Sequence, residues 1–176
     1  MKTTSILIAG FGGQGTLFAG KVLAYASLYK GLEVSWLPSY GPEMRGGTAN
    51  CSVIVSDSPI GSPIVSKPDV LIALNKPSFE KYENAVVSGG ILLVDSSLVD
   101  SKCERTDIKV CYVPASELAA SIGAPGLSNI VLVGRLLKET GLFTAEELGG
   151  VFDKLIPERK AAMRQLNRTA IAEGLK

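Results

Sequence analysis

The 176-residue chain contains no histidine. That absence removes the commonest general base and the commonest metal ligand from the chemistry open to it. Cysteine is scarce: Cys51, Cys103 and Cys111 have no CxxC spacing among them. They cannot by themselves build a zinc or iron–sulfur site of the usual kind. An odd count suits a reducing cytoplasm, where thiols serve as small apolar residues, and a cytoplasmic location is expected. Apolar runs of membrane-spanning length are missing. Val70–Leu74 and Ile91–Val94 are strand-length, against the roughly 20 residues that cross a bilayer, so no membrane partner is expected. The apolar stretch before Gly10 is too short for a leader and runs directly into glycines, which predicts a first strand. No charge of one sign dominates either. With 18 basic and 17 acidic residues the net charge is +1, which gives no field to attract nucleic acid.

What is present suits a single globular domain over residues 1–176. Hydrophobic residues make up 46% and charged residues 20%, enough to bury a core at a length that fits one domain. Strands are predicted at Ser5–Ala9, Glu33–Pro38, Ala49–Val55, Val70–Leu74, Ile91–Val94 and Lys109–Val113. Helices are predicted at Thr16–Leu28, Pro77–Ala85, Pro114–Ser121 and, with Asn129 as cap, Ile130–Glu139. Thr144 with Glu147 has the pattern of a capping box. Beyond Pro157 a last helix places Met163, Leu166 and Ala170 on one face. Uninterrupted apolar strands alternating with helices predict an α/β fold: a Rossmann-like three-layer sandwich, its mostly parallel sheet covered by helices on both faces.

Gly10-Phe11-Gly12-Gly13-Gln14-Gly15 matches G-x-G-x-x-G between the first strand and the first helix. Glycines there permit a tight turn and a close approach, and the helix start offers free N–H groups to an anion. A dinucleotide fold also needs an acid at the end of the second strand to hold the ribose. Here that strand ends in Leu37-Pro38-Ser39-Tyr40, and Glu33 precedes the strand core. Two alternatives stay open: a ligand loop, or glycines that merely let helix and sheet pack closely.

Ser39–Thr48 is predicted to be a loop leaving the same sheet edge. It carries Tyr40, Glu43 and Arg45 among Gly41, Pro42, Gly46 and Gly47. An internal Glu43–Arg45 ion pair is one explanation, and such exposed pairs add little stability. A docking loop that presents Tyr40, Glu43 and Arg45 to a ligand or partner is the other.

Together, Gly10–Gly15, Ser39–Gly47 and Cys51-Ser52-Val53-Ile54-Val55-Ser56 resemble the gamma subunit of 2-oxoacid:ferredoxin oxidoreductases. The wording Gly41-Pro42-Glu43-Met44-Arg45-Gly46-Gly47 is closer to the 2-oxoglutarate and branched-chain types than to the pyruvate type. The resemblance implies a share in one reaction: decarboxylation of a 2-oxoacid to an acyl-CoA, with two electrons passed to ferredoxin. It implies alpha and beta partners, with delta as a further candidate, and contact with CoA and ferredoxin only through that complex. Thiamine diphosphate, magnesium and the iron–sulfur clusters would be held by the other subunits and none by this chain. The sequence has no Gly-Asp-Gly thiamine-diphosphate signature, which agrees with that division. On the same resemblance Gly10, Gly12, Gly13, Gln14, Gly15, Tyr40, Glu43, Arg45, Gly46 and Gly47 form a ligand or partner loop, and no residue is catalytic. Isolated copies could pair through the surface meant for partners.

Other residues have plainer roles. Trp36 fits core or interface, Asp95 a cap or turn, and Lys76 an exposed lysine able to approach a phosphate. Arg159, Lys160 and Arg164 fit the solvated side of the last helix. A free-standing nicotinamide- or flavin-dependent enzyme and a nucleotide-sensing module remain as alternatives, and both require nucleotide binding by the chain alone.

Overall fold

The fully apolar stretches become the centre of a six-stranded sheet. In this computed structural model residues 3–40 and 47–176 are described. The strands are β1 (Thr4–Phe11), β2 (Glu33–Tyr40), β3 (Thr48–Ser56), β4 (Val70–Ala73), β5 (Ile91–Asp95) and β6 (Lys109–Val113). The helices are α1 (Thr16–Tyr29), α2 (Lys76–Tyr82), α3 (Ala115–Ser121), α4 (Ser128–Thr140), α5 (Ala145–Leu155) and α6 (Ala161–Leu175). Among the described residues no helix is long and apolar enough to cross a membrane.

The sheet order is β2-β3-β1-β4-β5-β6. β1, β4, β5 and β6 are successively parallel, and β3 runs against both β1 and β2. The mostly parallel α/β sheet expected from the sequence is therefore present, with one reversed strand. The predicted loop over Ser39–Thr48 is shorter than expected at both ends. Tyr40 pairs with Ala49, and Phe11 pairs with Thr48. An antiparallel ladder keeps its backbone groups bonded as far toward the connection as the chain permits.

Side chains alternate across the sheet. Ile6, Ile8, Cys51, Val53 and Val55 point into the larger core, shared with α1, α4, α5 and α6. Leu7, Ala9, Leu71, Ala73, Leu92 and Val94 form the second core under Phe79 of α2 and Val99. The two faces are thus covered unequally. Over β3 the approach of α1 is set by Gly20: a Cβ there would run into Cys51 Sγ and lie 2.9 Å from Trp36 Nε1.

The capping box at Thr144 is formed. Its N–H donates to Glu147 Oε2 at 2.8 Å, and the Glu147 N–H donates to Thr144 Oγ1 at 3.1 Å. The predicted face of the last helix holds at Ala170 and is corrected at Met163. α6 buries Asn167, Ala170, Ile171 and Gly174, while Met163 stays 42% exposed. The cause is tertiary. Gly134 of α4 and Gly174 of α6 meet backbone to backbone, with no room for a Cβ on either. That contact turns α6 by roughly 60° from the side that its apolar spacing favoured, leaving Ala170 inside and Leu166 half-buried.

Candidate functional site at the carboxyl edge of the sheet

Strands β1, β2, β4 and β5 all end at one edge, and α1, α2 and α4 begin there. Open α/β sheets bind ligands at this edge. The glycine loop crosses it as predicted, between β1 and α1.

Most of the loop is closed by its own atoms. Gln14 Oε1 accepts from the Phe11 N–H at 2.7 Å and from Asn75 Nδ2 at 2.9 Å. Gln14 Nε2 donates to Leu74 O at 3.0 Å, and the Gln14 N–H donates to Phe11 O at 3.1 Å. Asn75 is 3% exposed and also caps α2, its Oδ1 accepting from the Ser78 N–H at 2.9 Å. Gln14, expected to face a ligand or partner, is thus committed to holding the loop against the ends of β1 and β4.

Gly15 has φ 75°, a left-handed conformation that glycine adopts without strain. A Cβ there would also strike Asn129 Nδ2. The expectation that Asn129 caps a helix is corrected. It lies inside α4, whose N-cap is Leu127 without a side-chain bond. Its Nδ2 instead donates to Gly15 O at 2.9 Å, across 114 positions of sequence. Asn75 did not stand among the expected site residues, whereas the resemblance leaned to the Gly123–Asn129 segment lying at this edge. The Asn75-Lys76-Pro77-Ser78 start of α2 was a signal for the first, and no local signal existed for the second.

Among the described residues no side chain caps the start of α1, and no acid lies in its first turn. The first intrahelical bond runs from Ala19 N to Gly15 O at 3.0 Å. The first-turn N–H groups therefore carry the positive end of a 14-residue helix to the sheet edge.

The glycine loop reaches the second loop where the Gly12 N–H donates to Gly47 O at 2.9 Å. Tyr40 ends β2 beside them. Glu43, Arg45 and Gly46 lie outside the described residues, as does the side chain of Tyr40, so the expected roles of these side chains and the Glu43–Arg45 pair rest on sequence. Among the described residues no acid stands at the end of β2. Glu33 is at its opposite end, paired with Ser56, roughly 23 Å away along the strand. No described residue supplies the ribose contact of a dinucleotide fold at that place.

The remaining polar residues at this edge are occupied. Asp95 is fully buried, accepting from Ser97 N at 3.1 Å, Ser116 N at 3.2 Å and Ser116 Oγ at 2.6 Å, which is the turn and cap role expected of it. Lys76 pairs with Asp100 at 3.0 Å. Arg164 is not simply solvated: it donates to Ile156 O at 2.8 Å. Cys51 and Cys111 are buried and Cys103 is half-buried. Burial pushes the Cys51 thiol up to about 12. Among the described residues no three of His, Cys, Asp and Glu gather as a metal site would require. Those residues therefore do not fit an iron–sulfur cluster or a divalent cation.

Residues 5–176 match the family model for pyruvate ferredoxin/flavodoxin oxidoreductase. The 2-oxoglutarate synthase subunit KorC of Methanocaldococcus jannaschii is 38% identical over 172 residues, covering 96% of this chain and 90% of that one. The ketoisovalerate oxidoreductase subunit VorA of Methanothermobacter thermautotrophicus is 43% identical over 132 residues. That match takes in 75% of this chain and only 27% of VorA, so the chain spans about a quarter of the length of that relative. Among solved structures, the gamma subunit of a keto/oxoacid ferredoxin oxidoreductase from Geobacter sulfurreducens superposes with a TM-score of 0.86. It is 31% identical, and the match covers 99% of this chain and 95% of that one. The chain belongs to the pyruvate ferredoxin/flavodoxin oxidoreductase family, and it has the fold of a gamma subunit along nearly its whole length.

Proposed function

We propose that the chain is the gamma subunit of a thiamine-diphosphate-dependent 2-oxoacid:ferredoxin oxidoreductase whose substrate is 2-oxoglutarate. The observation that carries this is the near end-to-end correspondence with KorC, which a shared fold alone would not produce. The relative named for a branched-chain substrate is more identical, but it matches over a shorter stretch and within a much longer chain. In the complex, a 2-oxoacid, CoA and two oxidised ferredoxins give an acyl-CoA, carbon dioxide, two reduced ferredoxins and a proton. The hard chemistry belongs to cofactors on other subunits.

On this reading the carboxyl edge faces the partners and the CoA they handle, through Gly10, Gly12, Gly13, Gly15, Tyr40, Glu43, Arg45, Gly46 and Gly47. Gln14 keeps the edge in shape. Support comes from the uncapped start of α1, which leaves backbone donors for a carbonyl or an anion. Alpha and beta subunits, delta where present, and ferredoxin reached through them are the partners. A cytoplasmic setting follows from the same assignment.

The test is an anaerobic purification of the tagged chain from its native source. The eluate is assayed for CoA-dependent dye reduction with 2-oxoglutarate, pyruvate and 2-oxoisovalerate. Recovery of larger subunits with the highest rate on 2-oxoglutarate is expected. A higher rate on 2-oxoisovalerate would overturn the substrate. A chain that elutes alone and binds NADH or FAD stoichiometrically would overturn the assignment.

A further inference from the structure

Asn129 holds the glycine loop in a way that adds little to the stability of the chain. Its Nδ2 donates to Gly15 O at 2.9 Å, and that carbonyl already accepts the first bond of α1, from Ala19 N at 3.0 Å. The bond therefore does not rescue a carbonyl that would otherwise lie unpaired. Asn129 is 2% exposed, and its Oδ1 has no hydrogen-bond partner among the described residues. Turning the amide over would not help, because Oδ1 would then face the Gly15 oxygen. Leaving an acceptor buried and unpaired costs more than an average hydrogen bond returns. A leucine at this place in α4 would have the same branched shape, a better helix propensity and no polar atom to bury.

What the contact does supply is position. Gly15 and Asn129 are fitted to each other, since a Cβ on Gly15 would strike Asn129 Nδ2. Among the described residues this is the one hydrogen bond between α4 and the glycine loop. It fixes the Gly15 peptide directly ahead of the first-turn N–H groups that α1 brings to the carboxyl edge. Asn167 is the contrast. It is 1% exposed with an Oδ1 equally without a partner, but its Nδ2 donates to Met163 O inside α6 and joins no two elements.

We infer that Asn129 is a positioning residue for the use of CoA. It holds the Gly15 peptide and the start of α1 in the geometry that the carboxyl edge needs when the complex takes up CoA. The inference rests on the gamma-subunit reading above, in which that edge faces CoA, and adds the residue that sets its shape. A buried amide kept at a cost in stability belongs to a site where geometry matters more than stability.

The test uses the assembled complex, purified through the tagged chain as wild type, Asn129→Leu, Asn129→Ala and Asn167→Leu. Leucine keeps the shape of the side chain and alanine removes any crowding against Gly15, so at least one Asn129 variant should assemble. Each complex is assayed by CoA-dependent dye reduction with the 2-oxoacid that wild type turns over fastest. KM is measured separately for CoA and for the 2-oxoacid. Expected for the Asn129 variants is recovery of the subunits in wild-type proportion with a KM for CoA raised by about tenfold or more. Their KM for the 2-oxoacid should stay within about twofold of wild type. Asn167→Leu should leave both KM values at wild type. An unchanged KM for CoA in the Asn129 variants overturns the inference. A rise in both KM values together, or loss of subunits from both Asn129 complexes, marks a general disturbance of structure and also overturns it. In each of these cases the gamma-subunit reading stands. A wild-type complex without CoA-dependent turnover overturns that reading, and the inference with it.

Discussion

Asn75 Nδ2 donates to Gln14 Oε1 at 2.9 Å, joining the end of β4 to the glycine loop across 61 positions of sequence. With the Phe11 N–H on the same oxygen and Leu74 O on the Gln14 amide nitrogen, this contact holds the loop in shape.

Breaking that contact should loosen the loop before it unfolds the domain. Asn75→Ala removes the α2 cap and the donor to Gln14, and should cost about 1–3 kcal/mol in chemical denaturation. Asn75→Asp keeps an acceptor for the Ser78 N–H and should cost less. It should still speed hydrogen exchange at the Phe11 amide, because a carboxylate cannot donate to Gln14. Unchanged exchange at Phe11 in both variants would show that Gln14 holds its place unaided.

Gly20 controls how closely α1 lies on β3. Gly20→Ala would gain about 1 kcal/mol of helix propensity. It would lose about 2–3 kcal/mol by crowding Cys51 and Trp36, for a net destabilisation of about 1–2 kcal/mol. Adding Cys51→Ala should make the double variant more stable than the sum of the two singles, since each change relieves the other. The Trp36 fluorescence maximum should shift in Gly20→Ala and return toward wild type in the double variant.

The buried Cys51 thiol makes stability depend on alkaline pH. Burial raises its pKa from 9.0 to about 12, the Trp36 contact pulling weakly the other way. The folded state therefore keeps a proton that the unfolded state gives up. This contribution is fully present below 9.0 and is lost as the pH rises toward 12. Melting temperatures followed above 9.0 should fall more steeply in wild type than in Cys51→Ala. In native protein Cys51 should resist alkylation until unfolding exposes it.

Glu139 works in the opposite direction. Lys109, chiefly through its hydrogen bond, and Arg135, through its charge, hold the Glu139 carboxyl below its ordinary 4.5. Its side chain is 5% exposed, and Arg135 Nε lies 2.8 Å away in an ion pair. Glu139→Gln should destabilise at neutral pH by about 1–3 kcal/mol, between the values for surface and buried pairs. A depressed carboxyl pKa gives stability that is present above 4.5 and lost as the pH falls through the folded value. The gap in melting temperature between wild type and Glu139→Gln should therefore close on acidification.

Where the governing interaction reaches only a few residues along the chain, the sequence alone was enough. The capping box at Thr144 and Glu147 and the strand at Val70 are determined by groups within about four positions of one another. The alternation of such elements was enough for a mostly parallel α/β sheet. The wording of the Gly10–Gly15 and Tyr40–Gly47 segments was enough for the family.

Tertiary structure alone decided the rest, because the deciding contacts join distant residues. Asn129 has the chemistry of a helix cap and the spacing of one, but folding brings it to Gly15 O. Gln14 lies in a loop that resembles a ligand site, and its amide is taken up by Asn75 and Leu74. Met163, Leu166 and Ala170 form an acceptable apolar face by spacing. α6 keeps Ala170 inside but turns toward Asn167, Ile171 and Gly174, because close backbone contact at Gly134 and Gly174 outweighs exposure of one methionine. Periodicity along a helix says that a face exists, and only the shape of the neighbouring helix decides which face is covered.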